Sequence, residues 1–348
     1  MTNILLTGAT GYLYFTMMPY PLIGGSVLST LLKSSDLKLT GLEITALVRN
    51  PDQAEKLQAI GVSTTVFTGL DDLTTVKSVA SQHDIIINTA NSYHPPSAKA
   101  MIEGLAERQY VSKKPTHFIH ASGTSNLGDR RITDSYIETS VFSDKDDIHP
   151  YEREREAKEQ YAQRTTDMVV FEEGEKAKVR TYILMSPTIY GIGTGLFNRT
   201  SIQINSLIRA AQRGGFTPVI GKGDAEWDHV HVEDLAGLYE VLLSGILRGN
   251  LLPSGKKGVY FNETGHHSWR EVSERIAKAG KEAGFLASEE VKEIGLQEGE
   301  RALQKPLDVV ELGFASNSRT RADLAREIGW APKRTRESFE SFVLQFIC

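Results

Sequence analysis

The stretch Ile4-Leu5-Leu6-Thr7-Gly8-Ala9-Thr10-Gly11-Tyr12 decides the fold. A short apolar strand runs straight into a glycine turn. A third glycine is expected three positions after Gly11. Residues 13–22, Leu-Tyr-Phe-Thr-Met-Met-Pro-Tyr-Pro-Leu, stand there instead, and Ile23-Gly24-Gly25-Ser-Val-Leu follows. Without residues 13–22 the text is a continuous Gly-x-x-Gly-x-x-Gly that opens a helical apolar pattern. Each glycine then has a physical role. Gly8 permits the tight turn, Gly11 lets backbone approach a pyrophosphate, and Gly24 allows helix and strand to pack closely. The helix N-terminus offers free N–H groups to phosphate oxygens. Thr7, Gly8, Thr10, Gly11, Tyr12, Ile23 and Gly24 are therefore the expected cofactor loop. Pro19 and Pro21 prevent the interruption from simply extending the helix. It reads either as a loop that bulges out while its flanks still meet, or as a retained intron in the gene model.

Outward from this loop, strand-like runs at 43–48, 63–67, 84–89, 116–121 and 179–185 alternate with helical stretches at 51–59, 72–81, 97–109 and 151–164. Such alternation predicts an α/β fold, a doubly wound parallel (Rossmann) sheet with helices on both faces. The continuous apolar runs suit strands buried on both sides. After about residue 190 the pattern shifts to glycine-rich turns between short elements. The expected organisation is a nucleotide-binding domain over 1–190 and a smaller mixed C-terminal substrate lobe over 191–348, some of whose segments return to the sheet.

The chain has 348 residues, 40% of them hydrophobic and 24% charged, with net charge −5, which points to no nucleic-acid or anionic-membrane partner. Its single cysteine, Cys348, suits a reducing compartment. No run approaches the roughly 20 apolar residues of a membrane helix. A cytoplasmic protein with a small-molecule substrate is expected; a homodimer is left open.

Ligands of such sheets lie at the carboxyl ends of the strands. After the second strand comes Arg49, a planar fork suited to the 2′-phosphate of NADP, whereas NAD favours an acid there. NADP is the expected cofactor, with NAD as the alternative. Leu70, with Asp71 and Asp72, borders the adenine in this reading, although either aspartate also reads as a helix cap. Thr89 and Ala90 are small enough to let a cofactor lie close. Ser122 and Thr124, after the fifth strand, offer hydroxyls to a substrate oxygen. His229 and His231, with Glu233 or Asp234, match a zinc pattern on a strand. The same run reads better as a helix entry capped by Asp234, so no metal is expected.

Together these residues resemble the extended short-chain dehydrogenase/reductase superfamily, the NAD(P)-dependent epimerases, dehydratases and carbonyl reductases, with an NmrA-like or YeeZ-like fungal branch closest in look. The resemblance includes Ser186-Pro187-Thr188-Ile189-Tyr190-Gly191, Val230-His231-Val232-Glu233-Asp234-Leu235-Ala236, Asn317-Ser318-Arg319 and Gly329-Trp330-Ala331-Pro332, and spans nearly the whole chain. It implies Pro187 beside the cofactor, and a serine or threonine working with a Tyr-x-x-x-Lys unit. Tyr151, just after Pro150, occupies the expected place, with Arg155 where lysine belongs. The literal match at Tyr110–Lys114 precedes the Ser122 strand and lies on the wrong helix. The expected catalytic set is Tyr151, Thr124, Ser122 and Arg155. The expected activity is NADP-dependent oxidation or reduction of a small carbonyl or alcohol. A sugar-type epimerase or dehydratase is a variant, and a non-catalytic cofactor sensor is the rival.

Overall fold

The computed structural model describes residues 2–10, 21–133, 136–334 and 336–345. Gly11, Tyr12 and most of the interruption lie outside the described residues.

The first half alternates as its sequence predicts: β1 (Asn3–Thr7), α1 (Pro21–Lys33), β2 (Glu43–Val48), α2 (Pro51–Gln58), β3 (Ser63–Val66), α3 (Leu73–Ala80), β4 (Ile85–Asn88), α4 (Pro95–Ser112) and β5 (His117–Gly123). After a 3-10 turn at Thr124–Leu127 come β6 (Val141–Ser143), α5 (Ile148–Lys158), α6 (Ala162–Ala177), β7 (Arg180–Ser186) and β8 (Thr188–Tyr190). The remainder runs α7 (Gln203–Gly214), β9 (Thr217–Ile220), β10 (Glu226–His231), α8 (Val232–Leu247), β11 (Val259–Phe261), β12 (Gly265–Ser268), α9 (Trp269–Glu282), β13 (Val291–Ile294), α10 (Leu296–Leu303), α11 (Leu307–Phe314), β14 (Arg319–Arg321), α12 (Asp323–Glu327) and α13 (Arg336–Gln345).

Seven parallel strands form the main sheet in the order β11-β7-β5-β4-β1-β2-β3. Every residue of β4 and β5 is buried, because helices cover both faces. The chain winds outward from β1 to β3, then returns to β4 and winds the other way. The gap between the ends of β1 and β4 is thus the topological switch point, where such sheets bind ligands. The smaller lobe holds the pairings β12-β10-β8 and β13-β9 and its own apolar core around Ile204, Leu207, Val219 and Trp269. Strand β11 joins the main sheet from the second half of the chain.

Three local expectations need correction. The stretch 151–164 is two helices, separated at Glu159–Tyr161, and Pro150 is the third residue of α5 rather than its start. The last two residues of the interruption, Pro21 and Leu22, open α1, where proline lacks only an N–H that would be unpaired anyway. The cap of α8 is His231, whose ring accepts the Glu233 N–H, while Asp234 accepts the backbone N–H groups of Lys333 and Arg334. Among the described residues no group of His, Cys, Asp or Glu side chains is arranged to hold a metal, and no helix is long and apolar enough to cross a membrane.

Candidate active site

The glycines on either side of the interruption meet. Gly8 leaves β1 with φ +80°, a left-handed turn that L side chains rarely adopt. A Cβ placed on it would lie 2.7 Å from the Thr89 carbonyl group and 2.8 Å from the Ala90 nitrogen. A Cβ on Gly24 would run into the Gly8 carbonyl oxygen and Thr89 Oγ1, and would sit 2.6 Å from the Gly8 carbonyl carbon. The first turn of α1 therefore presses directly on the end of β1 and the start of the loop after β4. Thr89 Oγ1 donates to the Thr7 carbonyl at 2.7 Å, which ties the two strand ends together. This leaves bare backbone and a helix N-terminus at the switch point, a concavity that fits a dinucleotide pyrophosphate. The carbonyl of Thr10, at the margin of the described loop, accepts from Asn198 Nδ2 at 3.0 Å. Arg49 directly follows β2, ahead of Asn50, which caps α2. Leu70 is buried after β3, and Asp72 beside it caps α3.

Next to this cradle a narrow cleft opens between the sheet and the lobe. Ile23, Gly123, Thr124, Ser186 and Pro187 form its sheet side; Ser201, Ile202, Trp227 and Gly313 form its lobe side. Thr124, Ser186 and Ser201 are 0%, 2% and 4% exposed, and none of their hydroxyls has a hydrogen-bond partner. A buried hydroxyl left unpaired costs about 1–3 kcal/mol. Three around one cleft mark a place that a polar ligand completes.

This geometry agrees with known proteins. Residues 4–249 match the model of the NAD dependent epimerase/dehydratase family. The chain belongs to this family. Among curated proteins, an oxidase of an Acremonium species (Oxidase ucsJ) is 28% identical over 313 residues, covering 85% of this chain and 84% of that one. Among solved structures, the dTDP-glucose 4,6-dehydratase DesIV from Streptomyces venezuelae, solved with NAD, superposes at TM-score 0.66 and 14% identity over 98% of this chain and 96% of its own. The UDP-glucose 4-epimerase of Thermotoga maritima, solved with UDP-glucose, superposes at TM-score 0.61 and 16% identity over 99% and 98%.

Within this family frame the expected catalytic set separates. Thr124 stands in the cleft; Tyr151 and Arg155 do not. They line a different groove, with Arg130, Tyr136 and Lys158. Tyr151 Oη donates to Glu138 Oε2 at 3.1 Å, and Arg155 reaches Tyr151 Oη at 3.1 Å and the Gly128 carbonyl at 2.8 Å. Burial raises the Tyr151 pKa and outweighs the lowering by the Arg155 charge and hydrogen bond. Tyr110 is 76% exposed and far from any such role. The tyrosine behind the cleft is Tyr161, at the start of α6, the crossover helix that lies against β5 and β7. Its hydroxyl is 2.8 Å from Tyr93 Oη and 3.3 Å from Ser125 Oγ, and both of those residues line the cleft. Ser125 Oγ in turn donates to Gln163 Oε1 at 2.6 Å.

Ser122 faces the other way, into a buried polar chain that sequence reasoning missed. Its hydroxyl donates to Asp167 Oδ2 at 2.6 Å. Asn126 Nδ2 bridges Asp167 at 2.7 Å and Glu152 at 3.0 Å. On the other side, Thr7 Oγ1 donates to Asn88 Oδ1 at 2.7 Å, and Asn88 Nδ2 lies 3.0 Å from His120 Nδ1. His120 Nε2 points at Asp167 Oδ1 from 3.6 Å. Burial holds the His120 pKa down at about 3, so the ring is neutral. Burial pushes both Glu152 and Asp167 up; the Asp167 carboxylate raises Glu152 further, whereas hydrogen bonds from Ser122, Asn126 and Glu152 lower Asp167, so the pair retains a proton at neutral pH with Glu152 as its favoured holder. The chain anchors the 3-10 turn that carries Thr124 and Ser125. The charged run Glu152–Glu159 reads from sequence as a solvated face, yet Glu152 is fully buried. Only its position on the inner side of α5 reveals that.

Proposed function

We propose that the chain is an NADP-dependent oxidoreductase that reduces a carbonyl of a small metabolite, or oxidises the matching alcohol, in the cleft around Thr124. The observation that carries this reading is the unpartnered, fully buried Thr124 hydroxyl beside the glycine cradle. Gly8, Thr10, Ile23, Gly24, Thr89 and Ala90 would hold the cofactor's central part, with Leu70 near the adenine and Pro187 near the nicotinamide. Arg49 would bind a 2′-phosphate; the absence of an acid in Val48-Arg49-Asn50 favours NADP over NAD. When bound, the nucleotide supplies or accepts the hydride.

The chain's own residues manage the oxygen. Thr124 donates a hydrogen bond to the substrate carbonyl, which polarises it and stabilises negative charge developing on its oxygen. The proton reaches that oxygen through Ser125 or Tyr93, each backed by Tyr161. Burial raises the Tyr161 pKa, while its hydrogen bonds with Ser125 and Tyr93 act to lower it. Ser122 acts indirectly, by fixing the turn through Asp167.

NADPH fluorescence titration followed by optical assay of NADPH oxidation against a carbonyl panel tests the reading. Binding with turnover supports it. Binding without turnover favours a cofactor sensor. No binding at millimolar nucleotide defeats both.

A further inference from the structure

The lining of the cleft contains no charged side chain among the described residues. Apart from Ile23 and Pro187, which the reading above gives to the cofactor, its apolar part is Tyr93, Ile189, Ile202 and Trp227, two of them aromatic. Its polar part consists mainly of hydroxyls, and three of these are unpartnered. Trp227 is held in place by its Nε1, which donates to Ser316 Oγ at 3.1 Å, and by the neighbouring Trp269 ring. The nearby arginines are committed elsewhere. Arg199 bonds the Gly193 carbonyl, and Arg130 bonds Glu311 and Glu159.

From this we infer that the substrate is an uncharged, largely apolar ring compound carrying a ketone or hydroxyl and further oxygens, and not a nucleoside diphosphate sugar. The inference rests on the oxidoreductase reading of the same cleft. A pyrophosphate brings negative charge that is costly to bury without paired cations. Sites that read phosphate use arginine forks, lysines or helix N-termini; among the described residues this wall presents no arginine or lysine, and the N-terminus of α7 reaches it at Ile202 and Gln203 with no cation among the lining residues to accompany it. Trp227 and Tyr93 instead line it with aromatic surface, which suits an apolar ring. Thr124, Ser186 and Ser201 sit on different elements and span the cleft from sheet to lobe. They are placed to hydrogen-bond oxygens at more than one position on the ligand, with Thr124 at the reacting carbonyl.

The test uses full-length protein saturated with NADP+, so that binding is read without reduction. Saturation is first established by nucleotide titration, which separates failure of the cofactor reading from failure of this inference. Calorimetric titrations then compare 1-tetralone and a panel of uncharged aromatic and alicyclic ketones with UDP-glucose. The expected result is saturable binding of ketones and none of UDP-glucose at ten-fold higher concentration. Ser201→Ala is expected to weaken ketone binding by about three- to ten-fold, the effect of one lost hydrogen bond. It leaves NADP+ affinity unchanged. UDP-glucose binding to the NADP+ complex overturns the inference. So does a panel in which no ketone binds although NADP+ does, or a Ser201→Ala variant that binds ketones as the parent does.

Discussion

Replacing Gly24 by alanine tests whether the glycine cradle is built across the interruption. Gly24 is the fourth residue of α1, where propensity alone favours alanine by about 1 kcal/mol. Packing opposes it. The added Cβ would lie 2.6 Å from the Gly8 carbonyl carbon and closer still to the Gly8 oxygen and Thr89 Oγ1. Carbon atoms in ordinary contact sit about 3.5–4.0 Å apart, so the helix must move off the strand by roughly 1 Å. Two of the three obstructing atoms are backbone and cannot rotate away. Overpacking of this kind costs about 1–3 kcal/mol, with the upper half expected here, for a net loss of roughly 1–2 kcal/mol. Gly237 is the control. It lies within α8 with nothing inside 4 Å of a new Cβ. Gly237→Ala therefore gains about 0.5–1 kcal/mol. Thermal unfolding should move Tm down by roughly 1.5–3 °C for Gly24→Ala and up by about 1 °C for Gly237→Ala. NADPH titration should show Kd raised about ten-fold or more for the first, a loss of 1.4 kcal/mol, and unchanged for the second. Equal Tm values and equal affinities would show that α1 does not press on the cradle, and the reasoning would fall.

Three further outcomes are expected. Tyr161→Phe should lower kcat by about 10²–10⁴-fold, the usual contribution of a placed proton donor, with NADPH affinity retained. Tyr151→Phe should keep kcat within about two-fold and lose roughly 1 kcal/mol of stability with its Glu138 hydrogen bond; the opposite pattern in steady-state kinetics restores Tyr151 as donor. The contribution of the buried carboxylates to stability should fall as pH rises above about 4, the ordinary carboxylate range, against the opposite contribution of buried histidines such as His117 and His120. Burial raises Glu152 and Asp167, as it raises Asp144 and Asp228 to about 6, so the native state keeps protons that the unfolded chain releases. Urea unfolding across pH should give a shallower slope for Glu152→Gln, and an identical slope would refute the shared proton.

The sheet was legible because its strands are apolar runs buried on both faces, and their ends led directly to Gly8, Thr89 and Thr124 around the switch point, while Pro187 came with the family resemblance. The tyrosine proposed as donor was not. Spacing from β5 places Tyr151 correctly on a crossover helix, but that crossover contains two helices. Only α6, with Met168, Val170 and Phe171 buried, lies on the sheet. The break at Glu159–Tyr161 is marked by neither glycine nor proline, so the pattern continues through it. Asp167 and Glu152 escaped notice for a related reason: a buried carboxylate and a solvated one look alike until the packing of the helix is known.

The most direct measurement is a crystal structure of the full chain with NADPH bound. The account predicts the pyrophosphate against Gly8 and the N-terminus of α1, the adenosine 2′-phosphate at Arg49, and the nicotinamide ring in contact with Thr124 and Pro187. A nicotinamide found in the Tyr151–Arg155 groove, or a nucleotide that avoids the Gly8–Gly24 contact altogether, would contradict it.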